Sequence, residues 1–462
     1  MSSRFSVLEI AEWLQLRCIG GALCIAALGS PVPAQQMPKI SQTAAEPAAL
    51  RSNRHLLQRP VEQLENAVAE LKTMHSNTSA MAAVDCLVAE QSATQGEPSA
   101  PTSTQPPDLG WQYGGFLDVG YLHDFNYPAN HLFRSRGTTF HVNEWDVNMA
   151  ALYLKKAASE RSRWGTELTL QAGEDSKVFG FSATAPNLPG SNWLRHLGPT
   201  NISYLAPVGK GLTLQGGIFS SFIGYDSLYS KDNFTYTRPW GADFTPYLML
   251  GVNAQYPFTD KLSGTLFVVN GYWHLADANS VPSSGGQLAY KPTDHLTLKQ
   301  TVLYGPHQSN TSLEFWRFLS DSIVERKGDR ITTAFEYIVG TEKIVAPANP
   351  RALWMAFQLP VHWAVSRRFS VTFRPEVFWD RDGRMTGFSQ TVKANTTTLE
   401  YRIPYRQASA ILRLEHRIDD SRGPGGGFFN DGEVRPGVFD LTPTQNLLSL
   451  GVILTFDSSF HR

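Results

Sequence analysis

Beyond residue 34 this chain holds no uninterrupted apolar run of the roughly 20 residues that a membrane helix needs, yet from Trp111 onward it keeps returning to segments that are apolar on one face and ionic on the other. Phe369, Val371, Phe373, Val377 and Trp379 alternate with Ser370, Thr372, Arg374, Glu376 and Asp380. Ala410, Leu412 and Leu414 alternate with Arg413, Glu415 and Arg417, while Leu448, Leu450, Val452, Leu454 and Phe456 share one face of the last such segment. Successive side chains of a strand point to opposite sides of the sheet, so each segment offers one face to an apolar medium and the other to water. A soluble sandwich alternates in the same way, and periodicity alone does not decide between the two.

The connections decide. Strands are expected near 111–123, 143–155, 161–174, 200–206, 211–221, 246–257, 262–273, 285–291, 295–304, 314–326, 329–341, 352–363, 367–380, 391–402, 408–418 and 445–457. Their links alternate in length: 124–142, 175–199 and 222–245 are long, whereas 156–160, 207–210 and 258–261 are short. Pro292-Thr293-Asp294, Lys327-Gly328 and Ala364-Val365-Ser366 make tight turns, and 419–444, with Gly-Pro-Gly-Gly-Gly at 423–427, makes a long loop. Short turns at one rim and long loops at the other are the mark of an up-and-down transmembrane barrel. The expected fold is therefore all-β, a transmembrane antiparallel β-barrel of about 16 strands over residues 111–462. Hydrocarbon supplies no hydrogen-bond partners, so a spanning sheet must join its edges. A barrel of this size is too wide for its own side chains to fill, so water is expected inside.

The residues ahead of the strands have a different texture. Arg17, the apolar stretch Cys18–Leu28, Gly29-Ser30-Pro31 and then Val32-Pro33-Ala34 read as a signal peptide over 1–34, cleaved after Ala34. Its removal takes Cys18 and Cys24 and leaves Cys86 alone, so no internal disulfide is expected in the mature chain. Within 35–90, Leu57, Val61, Leu64, Val68 and Leu71 step by four, three, four, three, the spacing of a short helical, coiled-coil-like segment. Residues 91–110 are a Pro/Ser/Thr-rich linker with too little apolar surface to pack. An even strand count places both termini, and hence the helical segment, in the periplasm. The composition agrees with strands and turns: 26 Phe, 16 Tyr, 11 Trp and 37 Gly stand against 18% charged residues. A net charge of −1 lacks the basic stripe of a nucleic-acid binder.

Two stretches resemble the OmpL-like β-barrel porin-2 family of outer-membrane proteins. The first is Gly115-Phe116-Leu117-Asp118-Val119-Gly120-Tyr121, continuing through Asp124-Phe125-Asn126, Pro128-Ala129-Asn130-His131 and Asn143-Glu144. The second runs from Ser203-Tyr204-Leu205-Ala206-Pro207-Val208-Gly209-Lys210-Gly211 through Ile223-Gly224-Tyr225, Ser230-Lys231-Asp232-Asn233 and Arg238 to Tyr256-Pro257-Phe258-Thr259-Asp260-Lys261-Leu262 and Val269-Asn270-Gly271. Gln287-Leu288-Ala289-Tyr290 with Pro292-Thr293-Asp294 fits as well. The resemblance implies a porin-like outer-membrane barrel that small hydrophilic solutes cross by passive diffusion. Its implied partners are outer-membrane lipid and the barrel-assembly machinery, and analogy with porins adds a homotrimer. One departure is the end of the chain, which runs past Phe456 to Phe460-His461-Arg462, whereas such barrels commonly end on an aromatic residue.

By parity, 222–245 is the third loop of the long-loop rim, and analogy with general porins makes it the expected pore constriction, with Asp226, Lys231, Asp232, Arg238 and Asp243 as its charged groups. Arg374, Glu376, Arg413, Glu415 and Arg417 are expected to line the pore wall, with Asp118, Glu144 and Asp146 on early strands where the alternation points inward. The same groups could instead form structural ion pairs. No catalytic residue, metal or cofactor is expected. Gly209-Lys210-Gly211 lacks the spacing of a phosphate loop. His141 and Glu144 resemble a metal pair, but on a strand residues three apart face opposite sides. The alternatives to a diffusion channel are a plugged barrel whose loops bind ligands or partners, and a barrel enzyme such as a phospholipase.

Overall fold

A computed structural model of the protein describes residues 110–180, 191–272, 275, 281–307, 314–344 and 350–459. The expected signal peptide (1–34), the helical segment (35–90), the linker up to residue 109 and the final Phe460-His461-Arg462 lie outside the described residues.

The strands are β1 (Gln112–Asp124), β2 (Trp145–Lys156), β3 (Trp164–Ala172), β4 (Leu197–Ala206), β5 (Leu212–Ser220), β6 (Leu248–Pro257), β7 (Leu262–Val269), β8 (Ser283–Thr293) and β9 (Leu296–Pro306). They continue as β10 (Trp316–Lys327), β11 (Ile331–Lys343), β12 (Arg351–Gln358), β13 (Val361–Ala364), β14 (Phe369–Asp380), β15 (Gln390–Tyr405), β16 (Ala408–Arg422), β17 (Phe428–Arg435), β18 (Val438–Thr442) and β19 (Thr444–Ser459). All but β17 and β18 belong to one antiparallel sheet in which chain neighbours pair, and β1 pairs with both β2 and β19. The sheet is therefore closed. β12 and β13 are two halves of one crossing, since both pair with β11 and with β14. They part at Leu359-Pro360, where a residue without an N–H cannot serve the ladder. The Pro360 carbonyl instead accepts from Ala334 N–H at 3.1 Å. Counted this way the barrel has sixteen crossings, as the sequence pattern requires.

The outer surface carries an apolar belt. Leu152, Leu168, Ile202, Leu214, Val252, Leu266, Leu288, Val302, Val324, Phe357, Phe373, Leu414 and Leu450 are all exposed on it. Tyr121 with Trp145 and Tyr304 with Trp316 lie toward the rim of the long loops, while Trp164 with Tyr204 and Tyr256 with Phe258 lie toward the rim of the short turns. Aromatic girdles at two levels around an apolar band are what a lipid bilayer selects on a barrel. The final strand shows its reading in detail, with Leu448, Leu450, Leu454 and Phe456 exposed and Leu447, Ser449 and Ile453 buried on the other face.

The interior differs between its two halves. Toward the turn rim the inward positions include Lys155, Glu167, Gln255, Lys299, Glu325, His362 and Arg402, all partly exposed. Toward the loop rim the wall contributes Phe219, Met249, Phe267, Leu303, Leu319, Ile338, Trp354 and Phe378 to one buried apolar cluster. Phe133, Trp240, Phe244, Met385 and Phe428, from the long connections, complete it. The wall's own side chains leave the interior unfilled, as expected for a barrel of this width. The long connections fold inward and fill the half that strand side chains cannot. Within the expected long loop 419–444, β16 extends to Arg422, and Phe428–Arg435 pairs with Val438–Thr442 as a separate hairpin.

Candidate functional site

The connection from β5 to β6, residues 222–245, runs inside the barrel and is bonded to most of its circumference. At its start the Phe222 carbonyl accepts from Gln287 on β8 (2.7 Å) and Thr301 on β9 (2.8 Å). The Gly224 N–H donates to Asp321 on β10 (2.8 Å) and the Tyr225 N–H to Glu336 on β11 (2.7 Å), while Asp226 accepts from Gln358 on β12 (2.6 Å). The chain then crosses to strands half the sheet away. Tyr229 donates to Gln171 on β3 (2.7 Å), and the Ser230 and Tyr236 hydroxyls donate to Asp118 on β1, at 2.5 and 2.8 Å.

The return path is held by charge. Glu415 on β16 accepts from the N–H groups of Tyr236 (2.5 Å) and Thr237 (2.9 Å), and Glu376 on β14 accepts from the Trp240 N–H (2.5 Å). The Arg413 guanidinium donates to the carbonyls of Ser230 (2.6 Å), Asn233 (2.5 Å) and Thr235 (3.0 Å). Arg374 donates to the Thr237 carbonyl (2.9 Å) and to the Thr235 hydroxyl, and Arg417 to the Arg238 carbonyl (3.0 Å). A loop drawn into a barrel brings backbone polar groups that must find partners away from bulk water. Carboxylates take the N–H groups and guanidiniums take the carbonyls, in charge-assisted bonds that are stronger than neutral ones.

Two other connections dock on this loop. Arg238 pairs with Asp175 at 2.8 Å and donates to Thr139 at 3.1 Å. Asp243 pairs with Arg136 at 2.9 Å and accepts from Thr138 (2.7 Å) and Tyr247 (2.8 Å). Burial pushes the Asp175 carboxyl up to about 7, against the pull of Arg238, so this pair is fully ionised only above that pH. Apolar contacts fix the far end of the loop: Trp240 lies edge-on to Phe133 at 5.9 Å and near Phe378 (6.4 Å) and Phe428 (6.2 Å). Tyr236 rests on a pair of glycines, Gly120 and Gly451, which face each other across β1 and β19. A Cβ at either would run into its ring or hydroxyl.

The expected site residues divide accordingly. Lys231 and Asp232 are partly exposed and paired with each other at 2.6 Å, and Asp226 is half-buried. Arg238 and Asp243 are buried. Arg374, Glu376, Arg413, Glu415 and Arg417 do face inward, but each is buried beneath the loop rather than presented to water. Of the two roles open to these five positions, the structural one describes their contacts: they anchor the loop. Asp118 is inward and buried in the same role. Glu144 precedes β2 and is half exposed, so it does not stand on a strand as expected. It lies 3.6 Å from His141, because the left-handed turn at Asn143 (φ 61°) removes the strand geometry that would have kept the two apart.

Sequence reasoning missed Tyr236, Trp240, Arg136, Asp175, Asp321, Glu336 and Asp419. Asp419 continues the face of Arg413, Glu415 and Arg417, so its place was open to the same alternation. Phe378, an inward aromatic on a strand whose inner face is otherwise polar, was the signal that something apolar sits opposite. The partners contributed by the long connections carry no periodicity and gave no signal.

Among curated protein sequences none matches this chain. Similar solved structures include the outer membrane channel DcaP of Acinetobacter baumannii, at 11% identity and a TM-score of 0.49, covering 76% of this chain and 98% of that one. Salmonella typhi OmpF in complex with daunomycin is similar at 11% identity and a TM-score of 0.49, covering 76% and 98%. The anion-selective porin from Comamonas acidovorans is similar at 10% identity and a TM-score of 0.46, covering 75% and 99%. The family model described as "Putative beta-barrel porin-2, OmpL-like" matches residues 110–456, which takes in every strand named above except the last three residues of β19. A closed barrel with an apolar outer belt, matched by one family model along nearly its whole length, belongs to the OmpL-like β-barrel porin-2 family of outer-membrane porins.

Proposed function

We propose that the barrel lets small hydrophilic solutes diffuse across the outer membrane, with residues 222–245 as the constriction and no chemistry performed on the permeant. The observation that carries this reading is the course of that loop: it runs inside the sheet, bonded to the wall through Asp118, Arg413 and Glu415, above an inner face that stays polar and partly exposed toward the turn rim. Lys231, Asp232 and Asp226 are the charged groups of the loop placed to meet a permeant, since Arg238 and Asp243 are buried. Charges at a narrow, low-dielectric passage are weakly screened and sort permeants by sign. In this reading the turn rim and the N terminus face the periplasm and the long loops face outward.

A second reading is a barrel closed at rest, and the apolar packing of Phe133, Trp240, Phe244 and Phe428 in the loop-rim half favours it. Swelling of liposomes in graded sugars separates the two. Rates that fall with sugar size support free diffusion. Proteoliposomes that swell no faster than protein-free vesicles would overturn it and leave the closed barrel.

A further inference from the structure

At the loop rim, outside the bonds that hold residues 222–245, potential ligands converge from two stretches of chain, 141–146 and the turn after β3. His141 comes from the connection between β1 and β2, Asp146 from the start of β2, and Glu174 from the short helical turn Glu174–Gly180 after β3. His141 Nδ1 lies 2.8 Å from an Asp146 oxygen, 3.9 Å from a Glu174 oxygen and 3.6 Å from a Glu144 oxygen. One ligand atom each from His141, Asp146 and Glu174 fall within 4.8 Å of one another. Ligands about 2.0–2.2 Å from a common ion sit about 3–4.4 Å apart, a spacing these three approach, and an ion would take the place of the hydrogen bond that now joins His141 to Asp146. None is fully buried, so an ion can enter without the barrel opening.

We propose that His141, Asp146 and Glu174, with Glu144 at the edge, bind a divalent first-row transition ion at the mouth of the barrel. The imidazole sets the class: Ca²⁺ and Mg²⁺ take all-oxygen shells, whereas nitrogen with carboxylate suits Zn²⁺ and Mn²⁺. The carboxylates set the need, because three of them lie near one imidazole, and among the described residues the ammonium paired with them is that of Lys177, half exposed, on Glu174. An ion there displaces Lys177 and ties the connection after β1 to the connection after β3. His141 and Glu144, which on a strand would face opposite sides, come together here because they precede β2, with the turn at Asn143 between them.

The test is calorimetry on the full chain, folded in detergent and stripped with EDTA, titrated with Zn²⁺ and separately with Mn²⁺. One saturable site per chain is expected, weakened on the order of tenfold or more in His141→Ala and in Asp146→Asn, tightened in Lys177→Ala, and not displaced by tenfold excess Ca²⁺. Heat-modifiable migration on gels verifies that each variant is folded. No saturable binding to folded protein, or equal binding by His141→Ala and the parent, would overturn the site. Since binding is read without conduction, the outcome is independent of the channel reading.

Discussion

Tyr236 is fixed from below by the glycine pair Gly120 and Gly451 and from the side by Asp118, so little room exists for it to adjust. Gly451→Ala is expected to destabilise the folded barrel by about 1–3 kcal/mol, the usual effect of forcing a methyl group into a filled site. The temperature at which the compact gel band disappears reads this; an unchanged temperature would contradict the packing. Arg413→Met is expected to cost more, about 3–5 kcal/mol, because it takes from buried Glu400 one of its two cations, leaving Arg402, and leaves the carbonyls of Ser230, Asn233 and Thr235 without that donor. Asp175 gives a pH-dependent counterpart. Its folded value of about 7 lies above the ordinary 3.8, so its burial erodes stability as pH rises between those values and has no further effect above them. Asp175→Asn should lose less stability than the parent between pH 5 and pH 8, by about 1.4 kcal/mol per pH unit of the interval that Asp175 spans. Parallel pH curves for the two proteins would remove Asp175 from this role. At this scale the sequence told which way Arg374, Glu376, Arg413, Glu415 and Arg417 point, since alternation fixes the face. It did not tell what they touch, because their partners lie on a loop whose course no local pattern specifies.

The strands were the legible elements. No expected boundary moves by more than four residues, because the inside–outside alternation and the long–short links each constrain the ends. The one break, at Leu359-Pro360, follows from a proline that the expected strand 352–363 contains. The connections were legible only in length. That 222–245 turns inward came from analogy, and that the connections after β1, β3 and β16 pack on it was not anticipated, since Phe133, Asp175 and Phe428 act through contacts remote in sequence. The two faces of a strand give an element-level prediction. Leu266→Arg, on the exposed outer face in the middle of β7, is expected to destabilise the barrel in bilayers by about 2–4 kcal/mol. Its neighbour Thr265→Arg, on the inner face toward the turn rim, should be tolerated to within about 1 kcal/mol. Denaturant titrations in lipid vesicles compare them, and equal effects would contradict the assigned faces.

At the scale of the whole molecule, a closed sheet solves the backbone hydrogen-bond problem in lipid, and its width then creates a second problem, an interior that the wall cannot fill. The chain answers with connections drawn inside, held by buried charge on one side and by aromatic packing on the other. Transport then depends on the passage that this insert leaves or opens. Single-channel conductance in planar bilayers, comparing the parent with a variant in which residues 226–240 are replaced by a short Gly/Ser link, addresses that dependence most directly. Stepwise openings that scale with salt are expected from the parent, and openings several-fold larger from the variant. If both proteins, folded and inserted, pass no current, or if the two conductances are the same, residues 222–245 do not constrict a water-filled path through this barrel.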